Sequence, residues 1–109
     1  MFRKTGCVMH LVEILLPLHD NSGQPFEAEK YAEVRQQLTD RFGGLTAFTR
    51  SPAQGTTTES GQTVHDEIVV FEVMTEALDV SWWGSYRLRL EREFRQDQIV
   101  IRASTVTLL

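Results

Sequence analysis

The sequence has one cysteine, no long apolar run and no excess of basic charge. Cys7 alone excludes an internal disulfide and a metal site built from several cysteines. No apolar stretch approaches the roughly 20 residues that cross a bilayer, so we expect no membrane partner. The net charge of −4 opposes general nucleic-acid binding, which needs a basic surface.

The first residues give weak evidence of a secretion signal. Met1–Lys4 carries two basic residues, as a signal peptide does at its start, but Glu13 interrupts the apolar stretch that follows. We therefore expect a cytoplasmic protein. The length of 109 residues suits one domain, which we expect to span residues 1–109.

Apolar spacing alternates between the periods of strands and helices along the chain. Strand patterns cover residues 8–16, 45–50, 63–74 and 97–107, and helix patterns cover residues 25–42 and 79–95. Gly43 follows the first helix pattern, and Asp79 is a good N-cap for the second. The polar segment 51–62 is expected to be a loop.

The order βαββαβ predicts an α+β fold of the ferredoxin-like type. Such a fold has a four-stranded antiparallel sheet with two helices on one face. Alternation places one set of apolar residues on that face: Val12, Ile14, Leu16, Val69, Phe71, Val73, Ile99 and Ile101.

Four stretches of the chain resemble a family of small, uncharacterised bacterial proteins: LVEILLPL, RFGGLTAF, DEIVVFEVM and WWGSYRLRLEREFRQDQIVIRA. The resemblance extends from about Leu11 to Ala103. It implies a ferredoxin-like fold of the dimeric α/β-barrel type, which includes cofactor-independent monooxygenases. Their catalytic residues have no positional match in this sequence, so the resemblance assigns no roles.

The second face of the predicted sheet, called the outer face below, is unusually apolar. Its members are Leu11, Glu13, Leu15, Ile68, Val70, Glu72, Val100 and Arg102. Because a solvated face normally carries polar residues, we expect a homodimer packed through this face. Two interpretations of Glu13, Glu72 and Arg102 are open. They are candidate catalytic residues if they line a cavity, with one glutamate as general acid or base, or they form a structural ion-pair network.

A second candidate site lies where the first strand ends and the third begins. Arg50, His19, His65 and Asp66 are expected near this edge, together with Asp20 and Glu67, and are candidates for binding a small molecule. Tyr86 is a further binding candidate, although its helical stripe is more typical of core. The histidine spacing matches no metal motif, so we predict neither a metal nor a cofactor.

Two functional hypotheses follow from these patterns. The first is a homodimeric module, without catalysis, that binds a small molecule or another protein. The second is a cofactor-independent enzyme, monooxygenase-like or isomerase-like, that acts on a small organic substrate. An enzyme needs a concave site that holds a titrating group, whereas a binding module does not.

Overall fold

The computed structural model describes residues 7–43, 46–50, 57–59, 62–64 and 67–109. The elements in chain order are β1 (Val8–Pro17), α1 (Ala28–Phe42), β2 (Thr46–Arg50), β3 (Thr57–Glu59), β4 (Gln62–Val64), β5 (Ile68–Thr75), α2 (Val80–Glu93) and β6 (Val100–Thr107). The predictions for His65 and Asp66 concern residues outside the described ranges.

The main sheet has the strand order β2-β5-β1-β6, and each neighbouring pair is antiparallel. β1 is central and pairs with β5 on one side and β6 on the other. The predicted α+β class, with an antiparallel sheet and two helices, is confirmed. β3 and β4 pair with each other in a separate small sheet.

The hydrophobic core lies between one sheet face and both helices. Ile14, Leu16 and Phe71 from the sheet are at most 1% exposed, and they share one cluster with Leu38 of α1 and Leu90 of α2. The predicted core face is therefore confirmed, with Ile101 packed against it at its margin. Burial of this face supplies the main driving force that holds the helices on the sheet.

Helix α1 begins at Ala28, three residues later than the predicted start at Pro25. Pro25 instead forms an isolated β-bridge with His19, which keeps the chain extended up to Glu27. The predicted end is correct, because Gly43 adopts a φ of 78° and donates its N–H to Thr39. Glycine enters this left-handed conformation without the steric cost that a Cβ imposes.

The start of α2 agrees with the prediction. The carboxylate of Asp79 accepts a hydrogen bond of 3.0 Å from the backbone N–H of Trp82, as an N-cap does. Trp83, Tyr86 and Leu90 face the core, and the helix ends at Glu93.

Two strand boundaries differ from the predictions. The pattern over 63–74 is divided between β4 and β5, and part of the segment expected to be a loop forms β3. β6 begins at Val100 rather than at residue 97. The reason is local: the N–H of Ile99 donates to the carboxylate of Glu91 on α2, at 2.9 Å, instead of to a neighbouring strand.

The outer face is less open than the alternation predicts. Val70 is fully buried and Met9 is 1% exposed, although strand alternation places both on this face. Val70 belongs to an inner strand and pairs with Leu15 on one side and Phe48 on the other, so neighbouring strands screen its short side chain. Leu11, Leu15 and Ile68 are half-buried, and Val100 is exposed.

Within the described ranges, neither helix has the length and apolar character needed to cross a bilayer.

Candidate functional site

The three residues predicted as catalytic candidates meet on the outer face. Glu13 on β1 lies directly opposite Glu72 on β5 and, on its other side, directly opposite Arg102 on β6. The Nε of Arg102 donates to Oε1 of Glu13 at 2.8 Å. The sequence left this register open, and the strand pairing now brings all three residues into one row across the sheet.

The two carboxyl groups of this row, called the carboxylate pair below, have different electrostatic surroundings. Partial burial raises the pKa of Glu72, and the adjacent negative charge of Glu13 and a hydrogen bond to Glu13 raise it further. Glu13 has the guanidinium of Arg102 as its partner. Because two like charges in contact disfavour double ionisation, ionising Glu72 beside Glu13 costs more than ionising an isolated glutamate.

The row remains accessible from solvent. The side chain of Glu13 is 21% exposed and that of Arg102 is 50% exposed. Such exposure makes the ion pair a modest contributor to stability. It also leaves room for a small molecule to approach the carboxylate pair.

A cavity of about 560 Å³ opens at the edge of the sheet where β1 ends and β5 begins. We call it the edge cavity. It is lined by outer-face aliphatic residues, by the turn after β1 and by the segment that leads into β6: Leu15, Pro17, His19, Asp20, Asn21, Gly23, Glu67, Ile68, Gln96, Gln98, Ile99 and Val100. Three of the predicted edge residues, His19, Asp20 and Glu67, are therefore brought together.

Asp20 acts mainly on its own turn. Its carboxylate accepts backbone hydrogen bonds from Gln24, at 2.9 Å, and Ser22, at 2.8 Å. The hydrogen bond from Gln24 is the largest influence that lowers the pKa of Asp20, and the charge of Arg95 contributes in the same direction. His19 lies beside it with Nδ1 at 4.0 Å from Oε1 of Glu67.

The other binding candidates are placed differently. Arg50 is the last residue of β2 and is opposite Ile68 in the register, so its backbone reaches the predicted edge. Tyr86 is 5% exposed, stacks on Trp82 and donates its hydroxyl proton to Gln37 at 2.8 Å. Burial raises the pKa of Tyr86 to about 12, and its ring belongs to the core cluster between the sheet and the helices.

The described residues contain no group of three His, Cys, Asp or Glu side chains placed to hold a metal ion. Sequence reasoning did not find Gln96 and Gln98, which line the edge cavity. They lie just after α2, and no motif distinguishes such glutamines from ordinary surface residues. The only sequence feature that could have indicated Gln96 and Gln98 is their position directly after the second helix pattern.

Comparison with known proteins gives a structural match only. No family model matches the sequence, and no curated protein matches it. The fold is similar to that of a phage SAM lyase solved in complex with S-methyl-5′-thioadenosine, with a TM-score of 0.62 and 15% sequence identity. The match covers 98% of this chain and 95% of the lyase chain. At this identity the similarity shows a shared fold.

Proposed function

We propose that this protein is a cofactor-independent lyase for a small organic substrate, with Glu72 as its general base. The observation that carries the proposal is the row in which Glu13 lies opposite both Glu72 and Arg102. The Arg102–Glu13 contact keeps a carboxylate beside Glu72, and burial, together with the charge of Glu13, raises the pKa of Glu72. A base works best when its pKa lies near the working pH.

S-adenosylmethionine is the substrate we propose to test. The structural neighbour is named as a SAM lyase, and the match extends over nearly the whole of both chains. A sulfonium cation is also chemically suited to this row when Glu72 is ionised, since the two carboxylates then outnumber the one guanidinium of Arg102.

The proposed step is an elimination. The carboxylate of Glu72 takes a proton from the carbon next to the sulfur-bearing carbon of the aminobutyryl chain. The C–H electron pair forms the new C=C bond, and the C–S pair stays on sulfur. The products are S-methyl-5′-thioadenosine and an unsaturated amino acid, and the proton on Glu72 then passes to water. No oxidant, reductant or cofactor is consumed.

The test is incubation of the purified full chain with S-adenosylmethionine and quantification of S-methyl-5′-thioadenosine by chromatography. We expect Glu72→Gln to lower kcat by about 100-fold or more, the effect typical of a lost general base. Glu33→Gln, at an exposed position on α1, is the matched control and should retain full activity. The proposal would be overturned if the wild type were no faster than the uncatalysed reaction. It would also be overturned if Glu72→Gln and the wild type had equal turnover.

A non-catalytic homodimeric module is the second candidate function. Half-buried Leu11, Leu15 and Ile68 support it, because together with exposed Val100 they give the outer face an apolar surface for a second copy. A second copy on this face would also enclose the carboxylate pair, so dimerisation is compatible with the lyase as well.

Light scattering of the wild type and of Leu11→Arg tests the dimer. We expect a dimer in the first case and a monomer in the second. Leu88→Arg, at a half-exposed position on α2, is the control that should leave the mass unchanged. Val70 is unsuited to this test. Its side chain is buried within a single chain, so a charged substitution there would disturb folding as well as any dimer.

The strand order β2-β5-β1-β6, with both helices packed on one face, supports a ferredoxin-like assignment for the fold. We include in the proposal that residues 1–109 form one such domain and that it acts in the cytoplasm.

A further inference from the structure

The edge cavity combines an apolar floor with a polar rim. Leu15, Ile68 and Val100 form part of the floor and come from three neighbouring strands of the sheet. The volume of about 560 Å³ is within the range of small-molecule sites. An apolar lining of this kind suits the faces of a planar ring.

The rim carries side chains that both donate and accept hydrogen bonds. Gln98 is exposed at the cavity, and its amide offers an N–H₂ donor and a carbonyl acceptor. The imidazole of His19 is 40% exposed and adds a further ring nitrogen. A nucleobase presents the complementary mixture of ring nitrogens and N–H groups.

Charge at the rim selects against phosphate. The carboxyl groups of Asp20 and Glu67 line the cavity, whereas Arg95, whose charge acts on Asp20, is not among its lining residues, and none of the described lining residues is lysine or arginine. The low pKa of Asp20 keeps that group ionised. A nucleoside is therefore favoured over a nucleotide.

The edge cavity and the carboxylate pair lie near each other along two strands. Leu15 follows Glu13 by two residues on β1, and Val100 precedes Arg102 by two residues on β6. Two residues along a strand cover about 6–7 Å and return to the same face. This distance matches the separation between the base of a nucleoside and its 5′ substituent.

We propose that the edge cavity binds the base of a purine nucleoside and that the outer face then places the 5′ sulfur substituent at the carboxylate pair. This inference rests on the proposed function, because the sulfonium substrate defines the 5′ group. It adds a binding site made of His19, Gln98 and the aliphatic floor.

The probe for the test is S-methyl-5′-thioadenosine, which carries the nucleoside without the charged aminobutyryl chain. Its Kd for the full chain is measured by calorimetry, alongside that of adenosine 5′-monophosphate. We expect Gln98→Ala and His19→Ala each to raise the Kd about fivefold, the effect of one lost hydrogen bond. Val100→Asp, which puts a charge on the floor, should abolish measurable binding.

Gln36→Ala is the matched control, since Gln36 is exposed on α1 and bonded to Asp40. Circular dichroism of each variant establishes that it is folded. The nucleotide should bind at least about tenfold more weakly than the thioether, because its phosphate meets the acidic rim.

Turnover of S-adenosylmethionine, measured on the same samples, separates the two proposals. Binding of the probe that weakens in the cavity variants but not in Gln36→Ala supports the edge-cavity site, whether or not the sulfonium is cleaved. Absence of probe binding, or equal binding by all variants, overturns the site even if the protein cleaves S-adenosylmethionine. Binding of the nucleotide as tight as that of the thioether also overturns it.

Discussion

Glu13 and Glu72 lie directly opposite each other on antiparallel strands, and their contact raises the pKa of Glu72 above its ordinary value of 4.5 after burial has already raised it. A group whose pKa is raised by folding stabilises the fold below its unfolded pKa. That contribution is lost as the pH rises through the folded pKa, when a second negative charge appears beside Glu13.

Glu72→Gln should therefore stabilise the protein at about pH 8, where the amide keeps a donor for Glu13 without the charge. The expected gain is about 0.2–1 kcal/mol, the size of a cross-strand charge effect. The gain should disappear at about pH 4, where Glu72 is already protonated. Urea unfolding at both pH values measures it. Glu33→Gln is the control, and a gain that is equal at both pH values would contradict the explanation.

Glu91 joins the end of α2 to the start of β6. Its carboxylate accepts the N–H of Ile99 at 2.9 Å and pairs with Arg87 at 2.6 Å. The hydrogen bond from Ile99 is the largest cause of the lowered pKa of Glu91, followed among the lowering effects by the bond from Arg87. A lowered pKa adds stability above the unfolded value of 4.5, and this is lost as the pH falls through the folded pKa.

Glu91→Gln should lower the Tm at neutral pH, and the difference from wild type should shrink as the pH falls below about 4.5. Glu93→Gln is the matched control on the same helix, because Glu93 pairs with Arg89 at 3.1 Å and its side chain is more exposed. We expect its Tm to change much less. Thermal unfolding that is equally affected by both substitutions would show that the link to Ile99 adds nothing.

The alternation of apolar residues predicted the two sheet faces because side-chain direction in a strand depends only on parity. Val12 and Ile14 are accordingly in the core, while Glu13 is on the other face. Parity does not give register, which depends on how the connections close. The meeting of Glu13 with both Glu72 and Arg102 therefore required the structure.

Other features had no signal in the periodicity. The burial of Val70 comes from its place on an inner strand, which follows from strand order rather than from the local pattern. The contribution of Gln98 to the edge cavity depends on the path from α2 to β6. Along that path the N–H of Ile99 donates to the carboxylate of Glu91, a contact over eight residues that propensities do not encode.

Gly43 follows α1 and Arg95 lies shortly after α2, and both have a positive φ. Glycine adopts this left-handed backbone easily, whereas arginine does so only with strain. Arg95 has a φ of 50°, with the N–H of Arg95 bonded to Arg92 and that of Gln96 bonded to Glu91, as in a Schellman motif. Arg95→Gly should raise the free energy of unfolding by about 0.5–1 kcal/mol, since strain removed exceeds the entropy that glycine costs.

Gly43→Ala provides the reverse test at the end of α1. Gly43 has a φ of 78°, and an added Cβ would meet no atom within 4 Å, so the substitution changes the backbone preference alone. We expect a loss of about 1 kcal/mol. Denaturant unfolding of both variants measures the pair. A loss of stability in Arg95→Gly would mean that contacts of the arginine side chain outweigh its backbone strain.

The pH dependence of turnover tests whether Glu72 is the base and whether the charge of Glu13 raises its pKa. If Glu72 is the base, kcat/KM for S-adenosylmethionine should rise with pH through the raised pKa of Glu72 in the free enzyme. Glu13→Gln removes the charge that contributes to this rise, so the midpoint should move to lower pH, while burial of Glu72 keeps it above 4.5. Glu33→Gln should leave the midpoint in place. The same midpoint in Glu13→Gln and wild type would assign the titration to another group, because no other charged side chain is identified as raising the pKa of Glu72 among the described residues.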